Sequence, residues 1–198
     1  DSIPRRVGAN PVFHQRAHSS FEHDGWLEQC LQLAMGGLSH IVSHLVEQIN
    51  EEQANVALAV VQLTNDILSW EFGPEAFDAA RTISKTMIRP PETWRDYLIR
   101  PDFVGAVFHM HERVARSHEE LSHSLRQLLL LLASLTGPIF ENPEQRKAFA
   151  TYLVDGSLNL FAQCASKDTT ETSELLDVLS LVSRIIASFK LAVLAQLP

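Results

Sequence analysis

The stretch SHEELSHSLRQLLLLLASLTGP, residues 117–138, decides the fold. Ser117 and Glu120 form an S-x-x-E pair, the signature of a capping box at a helix start. Behind it, Leu121, Leu125, Leu128, Leu132 and Leu135 recur in steps of three and four, which places them on one helical face. Gly137-Pro138 ends the run. Its most apolar part, Leu128 to Ala133, is far too short to cross a bilayer.

The same grammar extends in both directions. Upstream, Leu27, Leu31, Ala34, Leu38, Ile41, Leu45 and Ile49 predict one helix. Asn50 with Gln53 predicts a capped start for the next, with Val56, Val60, Leu63, Ile67 and Trp70 as its apolar stripe. Pro101-Asp102 opens a stripe of Val104, Val107, Phe108, His111 and Val114. Downstream, Asn142-Pro143 is a cap with proline at the first helical position, followed by Phe149, Leu153, Leu160, Phe161 and Cys164. Asp168 with Glu171 predicts one more start, with Leu175, Leu179, Val182, Ile186 and Phe189 behind it. Residues 73–101 are irregular and proline-rich, with Phe77, Ile83 and Met87 hinting at one short helix and Trp94, Tyr97 and Leu98 at another. No alternating run with a tight Gly turn predicts a sheet.

The expected architecture is all-α. Residues 1–198 read as one stretch of solenoid, with antiparallel helix pairs at about 24–70, 102–136 and 143–189 and an irregular insert at 73–101. The second and third pairs start 41 residues apart, at 102 and 143, which is the size of a HEAT unit. Such a unit buries its apolar face only against stacked neighbours. A compact six-helix bundle would show similar stripes. The chain begins at Asp1, and its C-terminal segment stays apolar and then stops, so a piece of a longer protein is expected.

Composition narrows the function. The 198 residues hold 16 Lys and Arg against 24 Asp and Glu, a net charge of −8. That argues against nucleic acid and anionic lipid and fits basic partners. Cys30 and Cys164 lie in apolar helical patterns, as small buried hydrophobes and not as a disulfide framework. Residues 1–20 contain no apolar signal segment.

Chemistry is weakly supported. His14/His18 and His40/His44 are i,i+4 pairs, but no H-E-x-x-H is present; Ser122 stands where His118-Glu119 would need its second His. His111-Glu112 lacks that partner as well. Glu120 and His123 give one E-x-x-H where a di-iron bundle needs two. There is no G-x-S-x-G, P-loop or G-x-G-x-x-G. Gly36-Gly37 reads as a close helix approach or a kink. Trp26, Trp70 and Trp94 read as anchors between helices. Glu51-Glu52 and Glu119-Glu120 complement helix N-termini. No catalytic, cofactor or metal residue is expected.

Three blocks go further: LSWEF at residues 68–72, PPETWRDYL at 90–98 and LASLTGPIF at 132–140. Their order and spacing, between about Val61 and Leu160, resemble the exportins of the importin-β (karyopherin) superfamily of nuclear transport receptors. The resemblance implies a HEAT-repeat solenoid that wraps Ran-GTP and protein cargo, passes nucleoporins and shuttles between nucleus and cytoplasm. It implies a segment just after the N-terminal repeats. No Ran- or cargo-contact residue carries over, because none of the three blocks is a contact motif. The remaining readings are a Ran-independent helical-repeat scaffold and a compact metal-dependent bundle. Repeat faces left uncovered are expected to drive self-association at high concentration.

Overall fold

At Asn50 the backbone N–H donates to Gln53 Oε1, three residues ahead, at 3.1 Å, while the Gln53 N–H donates to Asn50 Oδ1 at 2.8 Å. This reciprocal cap starts a helix as the sequence predicts. The computed structural model describes residues 25–44, 49–70, 88–114, 117–165 and 172–188. Its helices are α1 (Trp26–His44), α2 (Glu51–Leu68), α3 (Arg95–Leu98), α4 (Pro101–Val114), α5 (Glu119–Ala133), α6 (Pro143–Ala165) and α7 (Thr172–Ser188). Single 3-10 turns cover Glu92–Trp94 and Gly137–Ile139. Among the described residues the only β pairing is an isolated bridge between Ile88 and Leu135.

The long helices pair as α1 with α2, α4 with α5 and α6 with α7. Connections of four to six residues are too short to return along helices of 14 to 23 residues, so partners run antiparallel. The pairs then stack in chain order. Helix α4 lies between α1 and α6 in one layer, and α5 lies between α2 and α7 in the other. Among the described residues, no extensive packing joins the first pair to the third. This is a two-layered α-α superhelix of helical repeats, and not a bundle closed around one axis.

Helix α5 is its centre. Leu121, Leu125, Leu128, Leu132 and Leu135 are all buried, as their spacing predicts, and Leu129 and Ala133 are buried beside them. Neighbours on three sides widen the buried arc beyond one stripe. The start of α5 differs from expectation. His118 occupies the N-cap position without a side-chain cap bond. The N–H groups of Ser117 and His118 both donate to the carbonyl of Val114, at 3.1 and 3.0 Å. Ser117 thus belongs to the turn that closes α4 and cannot cap α5. Asn142 does cap α6, accepting from the Gln145 N–H at 2.7 Å. Asp168, Glu171 and the Phe77–Met87 segment lie outside the described residues.

Two stripes are corrected. In α2 the buried positions are Ala54, Ala57, Val61, Thr64, Asn65, Ile67 and Leu68, while Val56 and Leu63 are exposed. Small residues let the helix approach its neighbours closely, and the buried donors find partners, while Asn65 Oδ1 is buried without one among the described residues. Thr64 Oγ1 donates to the Val60 carbonyl at 2.9 Å, and Asn65 Nδ2 donates across to the Ser124 carbonyl of α5 at 3.0 Å. In α7 the buried residues are Val178, Leu181 and Ile185, while Leu179 and Ile186 are exposed.

Glycine sets two approaches. A Cβ on Gly37 would stand 3.3 Å from Val60 Cγ2, which places the close contact expected of Gly36-Gly37 at the second glycine only. A Cβ on Gly156 of α6 would overlap the Phe108 ring of α4. The third pair therefore packs on the second through a bare backbone.

Candidate interaction surface

Residues 88–99 form a strap across the first two helix pairs. Its anchor is Trp94, only 2% exposed, with Leu98 and Ile99 buried beside it. On one side the strap is sewn to the segment after α5. Ile88 N–H donates to the Ser134 carbonyl at 2.9 Å, and Thr136 N–H returns to the Ile88 carbonyl at 2.8 Å. Arg95 donates from Nε to the Ile139 carbonyl at 2.8 Å and from Nη2 to the Pro138 carbonyl at 3.0 Å. On the other side it is tied to α1. Thr93 Oγ1 donates to Glu28 Oε2 at 3.1 Å, and Gln32 Nε2 donates to Tyr97 OH at 2.7 Å. Glu28 and Gln32 are one helical turn apart, so both ties use one face of α1.

The strap holds α1 and α4 beside each other without tight packing. Helices α2 and α5 interlock along their length, whereas α1 and α4 touch much less. Between α1 and α4 lies a cleft of about 300 Å³. Met35, Leu38 and Val42 of α1 line one wall, and Phe103, Val107 and Met110 of α4 line the other. Both sets are spaced at helical intervals of three and four, so each wall is one face of a helix. Ser39 and Ser43 add hydroxyls from α1. Asp96, Tyr97, Arg100 and Asp102 stand at the strap end. Arg100 Nη2 pairs with Asp102 Oδ2 at 3.1 Å, and both side chains are exposed.

Other apolar surface lies at the two ends of the stack. Leu176, Leu179 and Ile186 of α7 and Leu158 and Phe161 of α6 are exposed on the third pair. Leu33, Val56 and Leu63 are exposed on the first.

The polar residues weighed from the sequence are scattered. His14 and His18 lie outside the described residues. His40 is exposed on α1, and His44 is the last residue of that helix. Glu120 and His123 are both exposed on α5. His111 is buried, with Nε2 at 3.2 Å from Ser122 Oγ, which also accepts from Arg126 Nη1 at 2.9 Å. This polar link joins α4 to α5. Among the described residues no group of three His, Cys, Asp or Glu side chains converges. Cys30 is half-buried, and Cys164 lies near the end of α6. Trp94 is an anchor, Trp70 is half-buried, and Trp26 is 54% exposed, so the last does not pack between helices.

The cleft was not legible beforehand. Phe103 and Met110 flank the stripe read from Val104, Val107 and His111, and only the separation of α1 from α4 makes a wall of them. No helix among the described residues is long and apolar enough to cross a membrane. No protein-family model and no solved structure matches the chain.

Proposed function

We propose that this chain is a helical-repeat segment of a nuclear export receptor of the importin-β superfamily, of the exportin-4 type. The receptor binds Ran-GTP and protein cargo, passes nucleoporins and shuttles between nucleus and cytoplasm. The observation that carries this reading is the order of the LSWEF, PPETWRDYL and LASLTGPIF blocks along the chain. The repeat stacking supports it, because a stack whose extensive packing, among the described residues, joins neighbouring pairs can change curvature at small cost. The net charge of −8 supports it as well, since it favours basic partners.

The work of such a protein is linkage and not catalysis. Ran-GTP and cargo each favour one curvature of the superhelix, so each raises the affinity of the other. The test is a pull-down of the full-length protein containing this chain with Ran loaded with GTP or GDP. A strong preference for the GTP form is the expected result. No binding to either form by a folded protein overturns the reading in favour of a Ran-independent helical-repeat scaffold.

A further inference from the structure

We propose that Ser117, in the turn between α4 and α5, is a phosphorylation site for an acid-directed protein kinase. Kinases of this class read a carboxylate three residues after the acceptor hydroxyl, by charge complementarity to their own cleft. The sequence offers that spacing at Ser19-Glu22, Thr93-Asp96 and Ser117-Glu120. Ser19 lies outside the described residues, and the structure discriminates between the other two.

Thr93 is occupied. Its hydroxyl donates to Glu28 Oε2 at 3.1 Å, and its neighbour Trp94 is buried. Arg95, between Thr93 and Asp96, is a cation of the wrong sign for such a kinase and is itself tied to the carbonyls of Pro138 and Ile139. Ser117 is presented instead. It is exposed, and its hydroxyl bonds to nothing among the described residues. Only its backbone is held, by the N–H bond to the Val114 carbonyl at 3.1 Å. Because His118 takes the N-cap position of α5, the hydroxyl that would have capped the helix is left available for chemistry. Glu119 and Glu120 are exposed as well, so the acceptor and both carboxylates are open to one partner. Burial begins only at Leu121. A kinase that draws out residues 117–120 therefore disturbs the first turn of α5, whose N–H groups have no intrahelical partner, and no core side chain.

In the transfer, Ser117 Oγ bonds to the γ-phosphorus of ATP, and the bond from that phosphorus to the oxygen bridging to the β-phosphate breaks. ADP leaves, and the hydroxyl proton passes to the catalytic carboxylate of the kinase. The product carries about two added negative charges. They fall on a turn that meets the first helix pair, since Nε2 of the adjacent His118 lies 3.5 Å from the Ile49 carbonyl. The modification thus marks the border between the first and second pairs. It goes beyond the transport reading and does not rest on it.

The test treats the folded 198-residue chain with casein kinase II and magnesium ATP and maps the phosphate by mass spectrometry. Phosphate on Ser117 and none on Thr93 is the expected result. Ser117→Ala is expected to remove that phosphopeptide, and Glu120→Gln to slow modification of Ser117 about tenfold, as loss of one charge-assisted contact to the kinase requires. Circular dichroism checks that each variant folds. A synthetic peptide of residues 111–124 separates motif from presentation: if the peptide is modified and Ser117 of the folded chain is not, the proposal is overturned. Modification of Thr93 ahead of Ser117 overturns it too, as does an unchanged rate in Glu120→Gln.

Discussion

Arg95 donates to the carbonyl oxygens of both Ile139 and Pro138, at 2.8 and 3.0 Å, and so ties the strap to the turn that follows α5. The same guanidinium pairs with Glu92 at 3.1 Å. Two of the three sequence blocks that carry the resemblance, PPETWRDYL and LASLTGPIF, are therefore one joint in space. Lysine, a point charge without the planar fork, cannot reproduce the fixed spacing of the Nε and Nη2 bonds to the two carbonyls. Arg95→Lys and Arg95→Ala are each expected to lower stability, the alanine variant by about 2 kcal/mol, the range for hydrogen bonds from a charged donor. Urea denaturation followed by circular dichroism measures this. Hydrogen exchange should show the loss of protection concentrated at Ile88 and Thr136.

Gly156 packs its backbone on the Phe108 ring. Gly156→Ala is expected to cost about 1–3 kcal/mol, the usual range for overpacking, against the small gain that alanine brings to a helix interior. Adding Phe108→Leu should recover part of that loss. A double-mutant cycle by thermal or chemical unfolding reads the coupling, and simple additivity would show that the two positions do not touch.

Asn65 reaches across the interface between the first and second repeats to the Ser124 carbonyl. Asn65→Ala removes this second donor while the Ser124 carbonyl keeps its place in the α5 ladder, so the expected cost is about 0.5–1.5 kcal/mol, that of one hydrogen bond. The adjacent Asp66 is exposed, and Asp66→Ala is expected to change stability by less than about 0.5 kcal/mol. Similar losses at both positions would assign the effect to helix α2 itself and not to its contact with α5.

Leu176, Leu179 and Ile186 are 57%, 51% and 51% exposed along one side of α7. Water-exposed apolar stripes of this kind favour association. The 198-residue chain is expected to self-associate as its concentration rises, and Leu179→Lys with Ile186→Lys should shift it towards monomer. Light scattering across a concentration series checks this. A monodisperse monomer at every concentration would refute it.

Local signals proved legible where the local chain alone decides the outcome. Asn50 with Gln53 and Asn142 before Pro143 are caps because the bonds close within four residues. Ser117 failed as a cap because the turn from α4 consumes its backbone, a fact about the preceding helix. In α7 the sequence carries adjacent apolar columns, Val178-Leu179 and Ile185-Ile186, and periodicity cannot choose between neighbours. Packing on α5 and α6 buries Val178 and Ile185 and leaves the other two outside. In α2 the expected stripe holds at Ile67, which is buried, but not at Val56 and Leu63, which are exposed, because close approach selects alanine and tolerates a bonded Asn65.

The sequence by itself determined that the chain is helical, where the long helices of the described residues lie and that they come in pairs, because spacing, caps and breakers act within a few residues of one another. It also determined the acidic charge that any partner meets. Only the tertiary structure decided that the pairs stack in two layers, that the proline-rich segment straps two of them together, and that α1 and α4 stand apart over a cleft. Those outcomes depend on distances between residues far apart in the chain, such as Glu28 and Thr93 or Arg95 and Ile139, and side-chain periodicity along one helix holds no record of them.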